Sequence, residues 1–195
     1  MMTEIDKNIK IDKNIEIDNN IEIDKNMKID KNMKIDKNIK TVNIHKDVHE
    51  ITMNDFVKNS DKDVLELNRH VLSNGSAVPL LHFKKLSELS MIEHCFTTRL
   101  GGLSTGMFES LNLSFTRGDE EKNVLENYKR VAEAIGAEVG QIVTTDQTHT
   151  TNVLRVGRKQ CGIGVTRKRP YTDVDGLITN EPNVVLATFY ADCVP

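Results

Sequence analysis

Cysteine is scarce in this chain of 195 residues: Cys95, Cys161 and Cys193 are three in all, widely separated and odd in number. That excludes a disulfide framework and suits a reducing compartment, so a cytoplasmic location is expected. No apolar run approaches the ~20 residues that a bilayer span requires, and no membrane association is expected. The start, "MMTEIDKNIK", lacks an apolar core and a cleavage site and does not read as a secretory signal. Basic charge is not in excess either. Lys and Arg number 26 against 29 Asp and Glu, a formal net charge of −3, which removes the global electrostatic footprint of a nucleic-acid binder.

What is present begins with a repeat. Ile5 to Lys40 is six copies of a hexapeptide: IDKNIK, IDKNIE, IDNNIE, IDKNMK, IDKNMK, IDKNIK. Every Ile and Met falls on an odd position, so a strand would gather them on one face. A helix would turn about 240° per copy and smear them around its axis. Asp and Asn, poor strand formers, fill the other face, and no glycines supply the turns of a solenoid. This leader and the polar stretch "TVNIHKDVHEITMNDFVKNSDKD" make residues 1–63 a disordered leader and linker that adds little to function. Residues 64–195 are expected to form the folded domain.

Two strands should flank the turn "SNGS" in "DVLELNRHVLSNGSAVPLLHF", where Asn-Gly reaches positive φ cheaply. "MIEHCFTT" reads as a third strand running into the loop "RLGGLSTG". Helical spacing of Val124, Leu125, Tyr128, Val131, Ala132 and Ile135 predicts a helix over 121–135, with Asp119 as N-cap and Gly136 as stop. Short strands follow at "QIVTTD", "NVLRV", "DVDGLIT" and "VVLATFY". Strands around a helix predict an α/β (α+β) domain with a mixed sheet.

Several residues are candidates for chemistry. His149, in "DQTHTTNV", lies on a loop between two strands; it is either a surface histidine or a metal ligand or general base. Cys193 closes an apolar strand, the end at which α/β proteins place ligands. It is either a buried thiol or, as thiolate, a zinc ligand or nucleophile. Arg99 precedes a Gly-Gly pair in "TTRLGGLSTGMFESLNLS", which suits either an anion-approaching loop or a wide glycine turn. The basic run "RKRP" reads as a solvated loop, Cys161 as incidental and Cys95 as core.

In order and spacing, "IEHCFTTRLGGLSTGMFESLNLSFTRGDEEKNVLENYKRVAEAIG", "QTHTTNV" and "DVDGLITNEPNVVLATFYADCVP" resemble the YfiH-like laccase-domain family over residues 78–195. Members are described as zinc-dependent purine nucleoside phosphorylases and adenosine deaminases, formerly as polyphenol oxidases, and some as peptidoglycan editing factors. The resemblance implies a layered sandwich fold with a mixed sheet. It also implies purine nucleosides (adenosine, inosine, methylthioadenosine) and phosphate as substrates. His149 matches the histidine of a Q-V-H-G element and Cys193 the cysteine of an A-D-C-x-P element, both zinc ligands in the family. Arg99 matches the arginine of the T-T-R block, implying contact with phosphate or sugar. Thr-His-Thr replaces Val-His-Gly, which alters the backbone beside the ligand. The third ligand, a histidine in an H-A-G-W-R-G element beyond the ADC strand, has no counterpart in these residues, and His82 and His94 are not expected to replace it. With two ligands the chain is expected to hold zinc weakly.

Two other classes stay open. Cys193 as nucleophile with His149 as base would make a cysteine hydrolase, acting on a peptidoglycan precursor. An inactive remnant is the non-enzymatic reading. A multicopper oxidase is disfavoured, since its copper sites need far more than the six histidines here.

Overall fold

Asn74 and Gly75 turn the chain back on itself. Gly75 takes φ +81°, its N–H donates to Leu72 O at 2.9 Å, and Asn74 Oδ1 accepts the N–H of Ser76 at 2.9 Å. The turn pairs β1 (Leu65–Val71) with β2 (Ala77–Phe83) in antiparallel register from Leu65↔Phe83 to Val71↔Ala77. The structure is a computed structural model that describes residues 48–56 and 62–190. The hexapeptide leader, and Asp192, Cys193 and Pro195, lie outside the described residues. Within the stretch read as linker, Ile51 is nonetheless buried, at 1% exposure, and Met53–Asp55 form one turn of 3-10 helix.

The third strand is shorter than its sequence promises. Only β3 (Phe96–Thr97) pairs with β2, through Leu81 and Leu80. The ladder stops because the N–H of Phe83 donates to Nε2 of His94 at 2.8 Å, so a side chain takes the bond that a strand carbonyl would have accepted. A single-turn helix, α1 (Lys84–Ser87), follows β2 directly.

The predicted helix is α2 (Glu121–Ala134). It buries Val124, Tyr128, Val131, Ala132 and Ala134, as its periodicity demands, together with Asn127. Gly136 ends it at φ +69°, and Ala137 N–H closes back on Ala132 O at 2.8 Å. Its N-cap is Glu120, without a side-chain cap. Asp119 instead accepts bonds from Ser104 Oγ at 2.6 Å and Asn112 Nδ2 at 2.9 Å. Hydrogen bonds from Asn112 and Ser104 hold its carboxyl below the usual carboxylate range, against a smaller opposing effect of desolvation.

One face of α2 packs through Val131 and Ala134 on Leu72, Val78 and Leu80 of the hairpin, with Leu111. The other packs through Val124, Tyr128 and Ala132 on Ile142, and Val185 and Ala187 lie against that cluster. Each Val, Leu or Ile side chain among these, fully buried, contributes roughly 1.5–3 kcal/mol. The helix thereby joins the antiparallel sheet to β4 (Ile142–Thr144) and β7 (Val185–Ala187), which pair in parallel with Ile142↔Val185 and Thr144↔Ala187. A second parallel pair joins β5 (Val153–Arg155) to β6 (Gly176–Ile178), with Val153↔Gly176. The result is the expected α+β fold with mixed strand directions. Among the described residues no helix is long and apolar enough to cross a membrane.

Candidate functional site

The β4–β7 pair sets the frame. Beyond the last paired residues, Thr145 N–H still donates to Ala187 O at 3.2 Å. Gln147 extends the contact by its side chain: Oε1 accepts the N–H of Phe189 at 2.7 Å and Nε2 donates to Phe189 O at 3.1 Å. Thr145 Oγ1 fixes the same carboxamide by donating to Oε1 at 2.8 Å. Asp146 is bridged to Val174 by a reciprocal pair of backbone bonds at 2.9 and 3.0 Å. It is also ion-paired with Arg169, whose Nη1 donates to Thr145 O at 2.8 Å. Tyr171 hydroxyl donates to Thr144 O at 2.6 Å.

His149 follows, exposed and in the left-handed region at φ +65°. The carboxylate of Asp175, one residue ahead of β6, accepts the N–H groups of Thr148 at 3.1 Å, His149 at 2.8 Å and Thr150 at 3.0 Å. The hydroxyl of Thr150 adds a fourth bond at 2.8 Å. Thr148 hydroxyl donates to Asp173 Oδ1 at 2.7 Å, and Asn152 Nδ2 donates to Asp173 O at 2.8 Å. Desolvation opposes ionisation of Asp175, but the bonds from Thr150, Thr148 and His149 outweigh it and hold the carboxyl down to about 2. The threonines that replace Val and Gly around His149 are thus used, their hydroxyls anchoring the loop to Asp173 and Asp175.

Arg99 lies on a different loop, after β3. Its Nε donates to Glu109 O at 2.6 Å and Nη2 to Met107 O at 2.9 Å. The adjoining Gly-Gly pair answers to packing. A Cβ on Gly101, at φ +87°, would stand 2.6 Å from Ala77 O and 2.9 Å from Val78 Cα, and one on Gly102 would meet the backbone of Ser110 and Leu111. Asn127 of α2, fully buried, braces this region. Its Oδ1 accepts Leu103 N–H at 2.9 Å, and its Nδ2 donates to Ser104 Oγ at 2.9 Å and Asn112 O at 2.8 Å.

His82 lies on β2 and His94 in the segment ahead of β3, where it bonds the end of β2. Their rings lie 5.4 Å apart, and His70 is 5.6 Å from His82. Among the described residues no three His, Cys, Asp or Glu side chains are grouped to hold a metal. His149 is the described member of the expected zinc pair. Its exposed imidazole on a fixed backbone suits a ligand position, and imidazole with thiolate is a donor set that zinc favours. Gln147, Asp173, Asp175 and Asn127 went unread in the sequence. The signal for two of them was there in "DVDG", an acidic pair just before a strand.

Comparison with known proteins places these elements in a family. Residues 93–195 match the family model described as multi-copper polyphenol oxidoreductase laccase. A purine nucleoside phosphorylase of Bacteroides thetaiotaomicron is 36% identical over 117 residues, 60% of this chain and 43% of that protein. The purine nucleoside phosphorylase YlmD of Bacillus subtilis is 38% identical over 101 residues, 51% of this chain and 36% of its own length. Among solved structures, a hypothetical protein YfiH from Bacillus licheniformis superposes with a TM-score of 0.54 at 32% identity, covering 58% of this chain and 42% of that one. YlmD from Geobacillus stearothermophilus gives 0.53 at 29%, covering 64% and 46%. The chain therefore spans less than half the length of these relatives. With more than half of its residues inside the matched region and the same partial fold, this chain belongs to the YfiH-like family of multi-copper polyphenol oxidoreductase laccase domains.

Proposed function

We propose that the protein is a purine nucleoside phosphorylase whose zinc is held by His149, Cys193 and a histidine outside these residues. The observation that supports it best is the parallel pairing of β4 with β7. It sends the His149 loop and the chain that continues towards Cys193 away from the same end of one sheet, the end at which such folds bind ligands. The relatives named above as purine nucleoside phosphorylases supply the reaction class.

When bound, zinc supplies a Lewis acid for an oxygen nucleophile. His149 contributes a neutral imidazole nitrogen from a backbone already fixed, so little ordering is left to binding. Cys193 contributes a sulfur that must lose its proton to ligate. Arg99 retains N–H donors beyond the two spent on carbonyls, and these would meet phosphate or ribose oxygens. Phosphate displaces the base at the ribosyl carbon, so nucleoside and phosphate become free base and sugar 1-phosphate. Adenosine, inosine and methylthioadenosine are the proposed substrates, and adenosine deamination the second activity of the same site. A cytoplasmic location belongs to this reading, and Cys95 and Cys161 carry no disulfide.

The test is zinc content and phosphorolysis of adenosine and inosine by the complete protein. His149→Ala and Cys193→Ala should each abolish both. Unchanged turnover in either variant sinks the site. A zinc-free protein whose activity dies on thiol alkylation would instead make Cys193 a nucleophile.

A further inference from the structure

Three successive backbone N–H groups, of Thr148, His149 and Thr150, converge on one carboxylate. We infer that Asp175 is the positioning residue for His149, fixing the backbone so that the imidazole is presented before any metal arrives. The inference rests on the reading of His149 as a zinc ligand and adds a residue to that site.

The argument starts from the cost of the loop. A non-glycine residue in the left-handed region is disfavoured by roughly 1–2 kcal/mol, and His149 is held there at φ +65°. Something must over-determine that conformation. Water could satisfy the three amides without fixing their directions, whereas a single anion in their centre satisfies them only in one arrangement. Charge-assisted bonds of this kind are about twice as strong as neutral ones.

The division of labour between the two oxygens explains why the residue is an acid. Oδ1 accepts the N–H of His149. Oδ2 accepts the N–H groups of Thr148 and Thr150 and the hydroxyl of Thr150. An asparagine has the same shape but one acceptor oxygen. Whichever way its amide is turned, an NH₂ group faces at least one backbone donor. Asp175 contacts the backbone of His149, so it acts through the position of the ring and not as a partner to it. Its own place is fixed by the strand it precedes: its N–H donates to Asn152 O at 3.1 Å, and Gly176 begins β6 opposite Val153 of β5. The two residues therefore stand at the same end of one parallel pair.

Two measurements on the complete protein test this, using zinc ion as the probe. Amide hydrogen exchange of metal-free protein should show Thr148, His149 and Thr150 protected, and Asp175→Asn should remove that protection without changing exchange in α2. Zinc competition should show affinity falling on the order of 10- to 100-fold in Asp175→Asn, the usual loss for a support residue of a metal site. Thr150→Val, which removes the hydroxyl's bonds to Asp175, Asp173 O and the Asn152 N–H but keeps the carboxylate, should give a smaller loss of both and covers the case in which Asp175→Asn does not fold. Wild-type protection of residues 148–150 in Asp175→Asn, or in Thr150→Val should the first variant not fold, overturns the inference. Lost protection with wild-type zinc affinity overturns it too. If the wild-type protein takes up no zinc, the ligand reading fails, and the exchange result alone decides whether Asp175 sets the loop.

Discussion

The carboxamide of Gln147 meets the backbone of Phe189 as a neighbouring strand residue would, accepting its N–H at 2.7 Å and donating to its carbonyl at 3.1 Å. One side chain thereby ties the His149 loop to the chain leaving β7. Gln147→Ala should lower stability by about 1–3 kcal/mol, at roughly 1 kcal/mol per hydrogen bond lost. Gln147→Glu should cost as much, because a carboxylate oxygen would then face Phe189 O. Urea unfolding gives the magnitude, and faster exchange of the Phe189 amide should accompany it. A variant with wild-type exchange at Phe189 would show that β7 needs no such tie.

Asn127 should be among the least replaceable residues of α2. It is fully buried and serves Leu103, Ser104 and Asn112 at once. Asn127→Leu fills similar space but strands several buried polar partners, each worth about 1–3 kcal/mol when left unsatisfied. A loss of at least about 3 kcal/mol in denaturant unfolding is expected. A loss below about 1 kcal/mol would mean that water replaces the amide.

Two glycines with nearly the same backbone angle should respond very differently to a methyl group. Gly75 has φ +81° and open space around it, so Gly75→Ala should cost only the conformational penalty, about 1–2 kcal/mol. Gly101 has φ +87°, and a methyl group added there would stand 2.6 Å from Ala77 O and 2.9 Å from Val78 Cα. Backbone of the central strand would then have to move, which adds about 1–3 kcal/mol or more. Parallel thermal melts of the two variants decide it, and equal melting temperatures would contradict the close packing.

Acid should loosen the antiparallel sheet through His82. This ring is buried, with 4% exposure. Burial first, then the neighbouring His70 and His94, push its pKa below 6.5, against the opposing pull of Glu93 and Glu66. The unfolded chain therefore binds the proton more readily than the folded one. Stability is full above 6.5 and falls as pH drops below that value, until the depressed folded pKa is passed. The groups around His82 are His70 and Glu66 on β1 and His94 and Glu93 ahead of β3. In His82→Gln, the plot of melting temperature against pH should be flatter below 6.5. An unchanged plot would assign the acid sensitivity elsewhere.

How much of this was legible beforehand depended on whether the deciding interaction was local. The hairpin was readable because Asn74 and Gly75 carry their own turn geometry, and α2 because Val124, Tyr128 and Val131 repeat at its period. The loop position of His149, between β4 and β5, was readable because apolar runs flank it on both sides. Asn127 was not, since a polar residue on an apolar helix face looks like an interruption until its partners from another loop are seen around it. The Gly-Gly pair stayed open between an anion-approaching loop and a wide glycine turn because the backbone of Ala77 and Val78 that presses on it is distant in sequence. In "RKRP", read as solvated, Arg169 is half-buried and turned onto Asp146 and Thr145 O. The shortness of β3 was equally hidden, as it turns on His94 taking the Phe83 N–H.

The parallel pairs also set an order of events in time. β1 and β2 close over a tight turn, whereas Ile142 must find Val185 and Val153 must find Gly176 across long intervening chain. Long loops cost more entropy to close and non-local pairings form slowly. The hairpin should therefore consolidate early, and the ends of β4 and β5, where His149 sits, should be assembled last. Pulse-labelled refolding would show the amides of β1 and β2 protected before those of Thr144 and Thr145; the reverse order would place the nucleus at the site itself.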